Sequence, residues 1–230
     1  MKNKLLKIIK SISIIFLILC FPIIFFSIIN LDINNISNND YIIYLTLANL
    51  ILTIIFIFIY KDTLIKDIKN FKNNLIKNIE LGIKYWIIGF IIMLTSNLII
   101  TLGLNKELAV NEQIVRNYID LFPSLMIFNT VIYAPITEEL AFRKSIKDAI
   151  TNKWIYILTS GLLFGLLHIS SYITNWTDLI YLIPYSSLGI AFALLYHRTN
   201  NIFSTITMHA LHNLLTITLY LIGATLWKKL

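Results

Sequence analysis

Three charged residues stand close together within a mostly apolar part of the chain. Glu138 and Glu139 are adjacent, and Arg143 follows the second glutamate by four residues. On a helix, Glu139 and Arg143 lie on one face, acid before base, and can form an ion pair. Glu138 is rotated from that face by about 100° and has no partner there. The spacing therefore predicts one carboxylate that braces the helix and one that is available as a base.

A simpler interpretation of the same charges is that they mark the end of an apolar segment. Arg143 would then extend its side chain toward water. Both glutamates would lie at the boundary between apolar and aqueous surroundings. These three residues fit either interpretation, so the polar residues elsewhere in the chain decide between them.

A histidine and a phenylalanine share one face of a later apolar segment. His168 follows Phe164 by four residues, and Gly161 and Gly165 precede it. Small residues at this spacing allow two helices to approach closely. A single histidine in such a segment would be interpreted as a packing residue, but the last apolar segment carries further polar residues.

His209 and Asn213 are four residues apart in that last segment and share a helix face, whereas His212 lies to the side. Ionisable groups within a membrane-spanning helix cost about 2.5–3.5 kcal/mol each, and they normally face the inside of a helix bundle. Three helices that each carry polar groups therefore predict one shared polar site.

Composition indicates that these apolar segments cross a membrane. Of the 230 residues, 57% are hydrophobic and 13% are charged, and the mean hydropathy is +0.77. Soluble domains average roughly 45–50% apolar and about 25% charged residues. Apolar runs of about 20 residues, long enough to span a bilayer, predict an all-α polytopic membrane protein with seven or eight transmembrane helices. The predicted spans are 12–29, 41–60, 81–102, 121–143, 154–170, 179–196 and 202–221.

Lysine and arginine collect at alternate ends of the predicted helices. The basic segments are the N-terminus, 61–77, 143–153 and 197–198, whereas 30–40 and 171–178 contain no lysine or arginine and 104–120 is mixed. Because cytoplasmic loops carry an excess of positive charge, the pattern predicts an integral plasma-membrane protein with a cytoplasmic N-terminus. Lys228 and Lys229 would be exceptions. This bias accounts for the net charge of +7, so no nucleic-acid partner is expected.

Segment 61–80 has the pattern of an amphipathic surface helix. Apolar residues recur at helical spacing, and lysines lie between them. These apolar residues are Leu64, Ile68, Phe71, Leu75 and Ile79. Such a helix is expected to lie along the anionic cytoplasmic leaflet of the lipid bilayer.

The polar motifs occur in one order on separate predicted helices: E-E-x-x-x-R, then F-x-x-x-H, then H-x-x-x-N. In this order and in a membrane context, the chain resembles the CAAX-protease and bacteriocin-processing (CPBP) family, also called the Abi family. Its members are intramembrane endopeptidases related to the type II CAAX prenyl protease. The resemblance covers about residues 122–219, and it divides the chain into N-terminal helices over 1–115 and a catalytic transmembrane domain over 116–230.

The resemblance implies a glutamate-type peptidase that needs no serine or cysteine nucleophile. Its substrate would be a membrane-associated protein or peptide. The catalytic residues would be Glu138, His168, His209 and Asn213. Glu138 would take a proton from a water molecule that His168 helps to hold, and the other two side chains would donate hydrogen bonds to the oxyanion. The supporting residues would be Glu139, Arg143 and Phe164.

A zinc site is the alternative mechanism. Glu138, His168 and His209 could supply three ligands and leave a fourth position for water. No H-E-x-x-H motif is present in the sequence, and that motif is the local signature of many zinc peptidases. The resemblance favours catalysis without a cofactor.

A shared site also has a geometric requirement. Measured from the basic helix ends at about 1.5 Å per residue, Glu138 and His209 lie about 12–14 Å deep and His168 about 20 Å deep. Tilted helices, or a fifth span that begins above the membrane boundary, must close this gap.

Two other function classes fit the same residues. Some members of the family are associated with self-immunity to bacteriocins, so the chain could bind a toxin or peptide without cleaving it. A small transporter could also use buried Glu, Arg and His, although the internal repeats of many transporters are not evident. The bias toward Asn, Ile and Lys indicates an AT-rich bacterial genome, and the substrate is not determined by the sequence.

Overall fold

The computed structural model describes residues 2–227, and the regular elements within that range are helices. They are α1 (Lys2–Ile28), α2 (Asn38–Ile59), α3 (Lys61–Asn73), α4 (Leu75–Gly103), α5 (Val110–Leu121), α6 (Pro123–Ala149), α7 (Lys153–Ile169), α8 (Leu182–Thr199) and α9 (Ile202–Trp227). Short 3₁₀ turns at Ile33–Asn35, Ser170–Tyr172 and Trp176–Tyr181 join some of them.

Seven helical segments within the described range are long and apolar enough to cross a membrane: α1, α2, α4, α6, α7, α8 and α9. This confirms the predicted all-α membrane architecture and the lower of the two predicted numbers of spans. The cytoplasmic position of the N-terminus stays a prediction. Lys228 and Lys229, the exceptions to the charge pattern, lie outside the described residues.

The fourth span is longer than predicted. Its predicted end was Arg143, but α6 continues to Ala149. Arg143 therefore lies inside the helix, and its relative exposure is 0%. The interpretation in which this arginine extends into water is wrong, since its side chain is enclosed by neighbouring helices.

Two parts of α6, Phe128–Tyr133 and Glu139–Ser145, are wound as π-helix, in which hydrogen bonds join residues five apart. We call them the first and second wide turns. At the end of the first, the Ala134 N–H donates to the Asn129 carbonyl. Pro135 follows directly and has no N–H to donate. Both wide turns contact α9, and such turns are frequent at functional sites.

The α7–α8 contact depends on glycines. A side chain at Gly161 would clash with Ile190, and one at Gly165 would clash with Ser186. The predicted close helix approach at these glycines is thus present. It fixes α7, and with it Phe164, against α8.

Both parts of the chain contribute to the main hydrophobic core. Ile14 of α1 and Phe56 of α2 belong to the same cluster as Phe142 of α6, Phe164 of α7 and Tyr196 of α8. The N-terminal helices therefore pack directly on the helices that carry the polar motifs.

Segment 61–80 forms α3 and the first turns of α4, and part of its apolar stripe faces the protein. Leu64 packs against the main core, and the Phe71 ring lies 6.3 Å from the Phe203 ring. The buried Asp67 carboxylate accepts a hydrogen bond from Ile202 N–H at 3.0 Å. Asp67 therefore caps the N-terminus of α9. Association of α3 with the lipid leaflet stays a prediction.

The predicted connection over 104–120 contains a helix, α5. Ile119 is buried in a small cluster with Met126, and Val115 and Phe122 pack against it. The apolar spacing from Val115 to Ile119 was the available signal, but the mixed acidic and basic residues of 104–120 favoured a connection between spans.

Candidate active site

Both adjacent glutamates of α6 face the imidazole of His209 on α9. Glu139 Oε1 lies 3.0 Å from His209 Nδ1, and Glu138 Oε2 lies 3.9 Å from His209 Nε2. These nitrogens lie on different edges of the ring, so one histidine meets two neighbouring carboxylates. The second wide turn begins at Glu139, and its extra residue per turn reduces the angle between successive side chains below the 100° of an α-helix.

The Glu139–Arg143 pair predicted from the spacing is present. Arg143 Nε lies 3.0 Å from Glu139 Oε2, and both side chains have 0% exposure. The two atoms lack the alignment of a hydrogen bond, so the attraction is chiefly electrostatic. Glu139 thus contacts two cationic or potentially cationic groups, one through each carboxylate oxygen.

Aromatic rings enclose the guanidinium of Arg143. Its central carbon lies 4.5 Å from the Phe164 ring centre and 5.9 Å from that of Phe192. Its Nη1 makes a long contact of 3.5 Å with Ser160 Oγ. Rings facing a guanidinium stabilise it through cation–π attraction. Phe164 therefore supports the charged cluster from α7.

Glu138 has fewer contacts that offset its negative charge than Glu139 has. Its relative exposure is 9%, and its Oε2 has no hydrogen-bond partner within the described part of the protein. Burial of a carboxylate without partners is costly. This oxygen therefore keeps an unused capacity to accept a hydrogen bond.

His168 is held by its own helix. Its Nδ1 lies 2.9 Å from the Phe164 carbonyl oxygen, and its ring stacks on Tyr185 with centres 4.8 Å apart. Phe164 connects the two histidines, since its ring centre lies 4.7 Å from that of His168 and 5.7 Å from that of His209. Both imidazoles therefore contact the Phe164 ring, His168 from within α7 and His209 from α9. The depth difference of about 6–8 Å expected from counting residues stays a prediction.

Asn213 lies one turn beyond His209, where it bonds to the backbone of α6. Its Nδ2 donates to the Thr130 carbonyl at 2.6 Å. That carbonyl lies in the first wide turn, where Ala134 N–H is bound to Asn129 instead. The residue five positions after Thr130 is Pro135, which has no N–H. The helix leaves the Thr130 carbonyl without a backbone donor, and Asn213 supplies one.

His212, which the sequence placed off the polar face, is buried on another side of α9. Its Nδ1 accepts a hydrogen bond from Trp86 Nε1 at 3.3 Å, and its ring meets Phe90 edge-on at 5.9 Å. It therefore joins α9 to α4.

The zinc alternative would use Glu138, His168 and His209 as ligands. No group of three His, Cys, Asp or Glu side chains close enough to hold a metal ion occurs among the residues that the structure describes. His168 Nδ1 is bound to a carbonyl and His209 Nδ1 to Glu139, so each imidazole keeps its Nε2 for another partner. Zinc binding by Glu138, His168 and His209 stays a prediction.

His168 also borders a cavity of about 190 Å³ at the end of α7. Residues at the start of α5, among them Ala109 and Asn111, line it together with Tyr172. The imidazole thus has open space on one side and the buried charged cluster beyond Phe164 on the other.

A family model for type II CAAX prenyl endopeptidase Rce1-like proteins matches residues 120–215 of the chain. That range contains every residue of the polar motifs, and it nearly coincides with the range over which the motifs suggested a resemblance.

Curated relatives extend the comparison. YdiL of Bacillus subtilis (strain 168), named as a candidate membrane peptidase, is 32% identical over 153 residues, which cover 63% of this chain and 59% of YdiL. The chain thus spans less than two thirds of that relative. The UPF0177 protein YxdF of Lactococcus lactis subsp. lactis (strain IL1403) is 30% identical over 171 residues, which cover 72% of this chain and 89% of YxdF. No solved structure matches the chain.

Proposed function

The chain belongs to the CAAX-protease and bacteriocin-processing family of membrane proteases, and we propose that it is an intramembrane endopeptidase in which Glu138 activates water. The position of the Glu138 carboxylate carries this proposal. It is buried, its Oε2 has no hydrogen-bond partner within the described residues, and that oxygen lies 3.9 Å from His209 Nε2. A buried carboxylate oxygen that lacks a hydrogen bond destabilises a fold, so a reaction explains it better than packing does.

In this proposal Glu138 and His168 hold the attacking water. The Phe164 carbonyl only accepts hydrogen bonds, so His168 Nδ1 carries a proton and the Nε2 of the neutral ring is an acceptor. Two acceptors can bind both protons of one water molecule and leave an oxygen lone pair free for attack.

His209 and Asn213 would stabilise the oxyanion. The Glu139 carboxylate beside His209 Nδ1 can stabilise an imidazolium, as the aspartate of a Ser-His-Asp triad does. An imidazolium donates from Nε2. Asn213 uses one N–H for the Thr130 carbonyl and keeps the second. Two such donors contribute several kcal/mol to transition-state stabilisation where water is excluded.

The proposed reaction consumes one water molecule per peptide bond. The water oxygen bonds to the carbonyl carbon while Glu138 takes one proton. The carbon–nitrogen bond then breaks, and the proton passes from Glu138 to the leaving nitrogen. The products are a new carboxyl terminus and a new amino terminus, and Glu138 is again a carboxylate.

Charge balance is consistent with these roles. With His209 as an imidazolium, the cluster contains two negative groups, Glu138 and Glu139, and two positive groups, His209 and Arg143. A buried cluster without net charge is less costly than one with an excess charge. Glu139 and Arg143 would thus hold the cluster together and position His209.

The substrate in this proposal is a membrane-associated protein or peptide, because the site lies within membrane-spanning helices. The bilayer would be a bacterial plasma membrane, with the N-terminus in the cytoplasm. No resident cofactor takes part in the proposed reaction.

The test is a comparison of protein termini in membranes from cells that carry the wild type, Glu138→Gln or no copy. Glutamine keeps the size of the side chain and removes the base. We expect new N- and C-termini, mapped by mass spectrometry, only with the wild type. Glu80→Gln makes the same change at an exposed residue of α4 and should retain all the termini.

Both variants must accumulate in the membrane and melt at the wild-type temperature in detergent for this comparison to apply. Identical termini in all samples would overturn the proposal. If Glu138→Gln in addition kept a bacteriocin-immunity phenotype that the deletion abolishes, binding without cleavage would be the function.

A further inference from the structure

The amide of Asn213 depends on a backbone carbonyl that the sequence of α6 exposes. Asn129 accepts the hydrogen bond of Ala134 N–H, and Pro135 has none to give. The Thr130 carbonyl is therefore free to accept from Asn213 Nδ2 at 2.6 Å. Since a carbonyl only accepts, this bond also fixes which end of the amide faces α6.

The residue beside Thr130 is anchored to α2. Asn49 Nδ2 donates to Asn129 Oδ1 at 3.0 Å, and Asn129 Nδ2 donates to Thr46 Oγ1 at 2.8 Å. Asn49 and Asn129 are buried, with exposures of 5% and 6%. The first wide turn is thus bound to α2 through Asn129 and to α9 through the next residue.

These amides are unusual choices for helix packing alone. Most other buried positions on α2 are apolar, such as Leu52 and Phe56. Buried amides at membrane depth destabilise a helix unless each donor and acceptor finds a partner. Here the partners are specific: Asn129 accepts from Asn49 and donates to Thr46. Two directed hydrogen bonds set the rotation and depth of one helix relative to another more sharply than apolar contacts do.

We propose that Asn49 and Asn129 are positioning residues for Asn213. They hold the first wide turn against α2 so that the Thr130 carbonyl orients the Asn213 amide toward the reacting carbonyl group. This inference rests on the proposed function, in which Asn213 donates to the oxyanion. It gives α2, which lies outside the family match, a role in the site.

A double-mutant cycle tests the coupling, with the cleavage rate of a substrate found by terminus mapping as its readout. Asn213→Ala should lower kcat about 100-fold, because it removes one oxyanion donor. Asn49→Leu should lower kcat about tenfold with KM nearly unchanged, because misplacing a catalytic group slows the chemical step. In the Asn213→Ala background, Asn49→Leu should have almost no further effect.

Thr53→Val is the matched control. Thr53 is buried on the same helix, and among the described residues its hydroxyl bonds only to the Asn49 carbonyl of α2. It should keep kcat within about twofold. If Asn49→Leu slows cleavage equally in both backgrounds, or if Thr53→Val slows it as much, Asn49 has only a structural role and the proposal fails.

A second readout does not depend on activity. With ¹⁵N-asparagine labelling, the Asn213 side-chain signal is identified by its loss in Asn213→Ala. Its amide protons should exchange slowly with solvent in the wild type and at least tenfold faster in Asn49→Leu, because the bond to Thr130 loosens. Unchanged exchange would overturn the positioning role even if the chain proves to be a protease. Faster exchange without any cleavage would retain the coupling and overturn the proposed function instead.

Discussion

His168 and His209 are each held through Nδ1, but by acceptors of different charge. The acceptor is the neutral Phe164 carbonyl for His168 and the Glu139 carboxylate for His209. A carboxylate stabilises an imidazolium, whereas a carbonyl only selects a tautomer. In the proposed reaction, one residue type would therefore supply a hydrogen-bond acceptor at the water and a donor at the oxyanion. The difference lies in the acceptor that faces Nδ1 of each ring.

The two histidines also differ in their neighbouring groups and in their access to open space. His209 lies among charged groups and has an exposure of 4%. His168 stacks on Tyr185 and borders a cavity. Changes near His209 should therefore affect stability and activity together, whereas changes near His168 should affect activity with less cost in stability.

Arg143→Met should have the largest effect, because it leaves the buried Glu139 carboxylate without its cation. Breaking a buried ion pair in this way costs about 3–5 kcal/mol of unfolding free energy. Thermal or denaturant unfolding in detergent measures the change. A variant that unfolds like the wild type would show that His209 alone compensates Glu139.

The double variant Glu139→Gln/Arg143→Met separates stability from chemistry. It removes both charges, so it should recover much of the lost stability. Activity should stay low, because His209 then faces a neutral amide much as His168 faces a carbonyl. Recovery of full activity would contradict the role assigned to the carboxylate.

His168→Ala should lower the cleavage rate by about 100-fold, within the usual range for the loss of a general acid–base partner. The unfolding free energy should fall much less than in Arg143→Met, since no buried charge loses its partner. Rate and melting temperature are measured on the same preparation. An effect confined to stability would make His168 a packing residue.

Pro135→Ala should have the smallest effect of these changes. It restores an N–H that can bond to the Thr130 carbonyl and thereby competes with Asn213. We expect about a tenfold loss of rate with equal or greater stability. Pro22→Ala, which also restores an N–H within a membrane-spanning helix, should leave the rate unchanged.

Local spacing predicted several features correctly. The Glu139–Arg143 pair is present because residues four apart on a helix are neighbours whatever surrounds them. The glycines before His168 mark a close helix contact for the same reason, since a missing side chain leaves space on any helix. The number of spans follows from the length of the apolar runs.

Other features of the site depend on contacts between distant residues. Nothing local to Glu139 indicates that its second oxygen meets His209, 70 residues away. Nothing local to Asp67 indicates that it caps α9. The wide turns also escaped prediction, because single-residue changes in winding depend on packing against neighbouring helices. Pro135 was the one local sign that a carbonyl in α6 needs a donor from elsewhere.

The sequence by itself determined that the chain is an all-α membrane protein, because hydropathy and helix period act over short distances along the chain. It also determined which residue types are available for chemistry and which family motifs they form. Only the tertiary structure decided the electrostatic surroundings of those residues. Glu138 and Glu139 are adjacent and chemically identical, and they differ because α9 brings His209 between them while Arg143 pairs with only one.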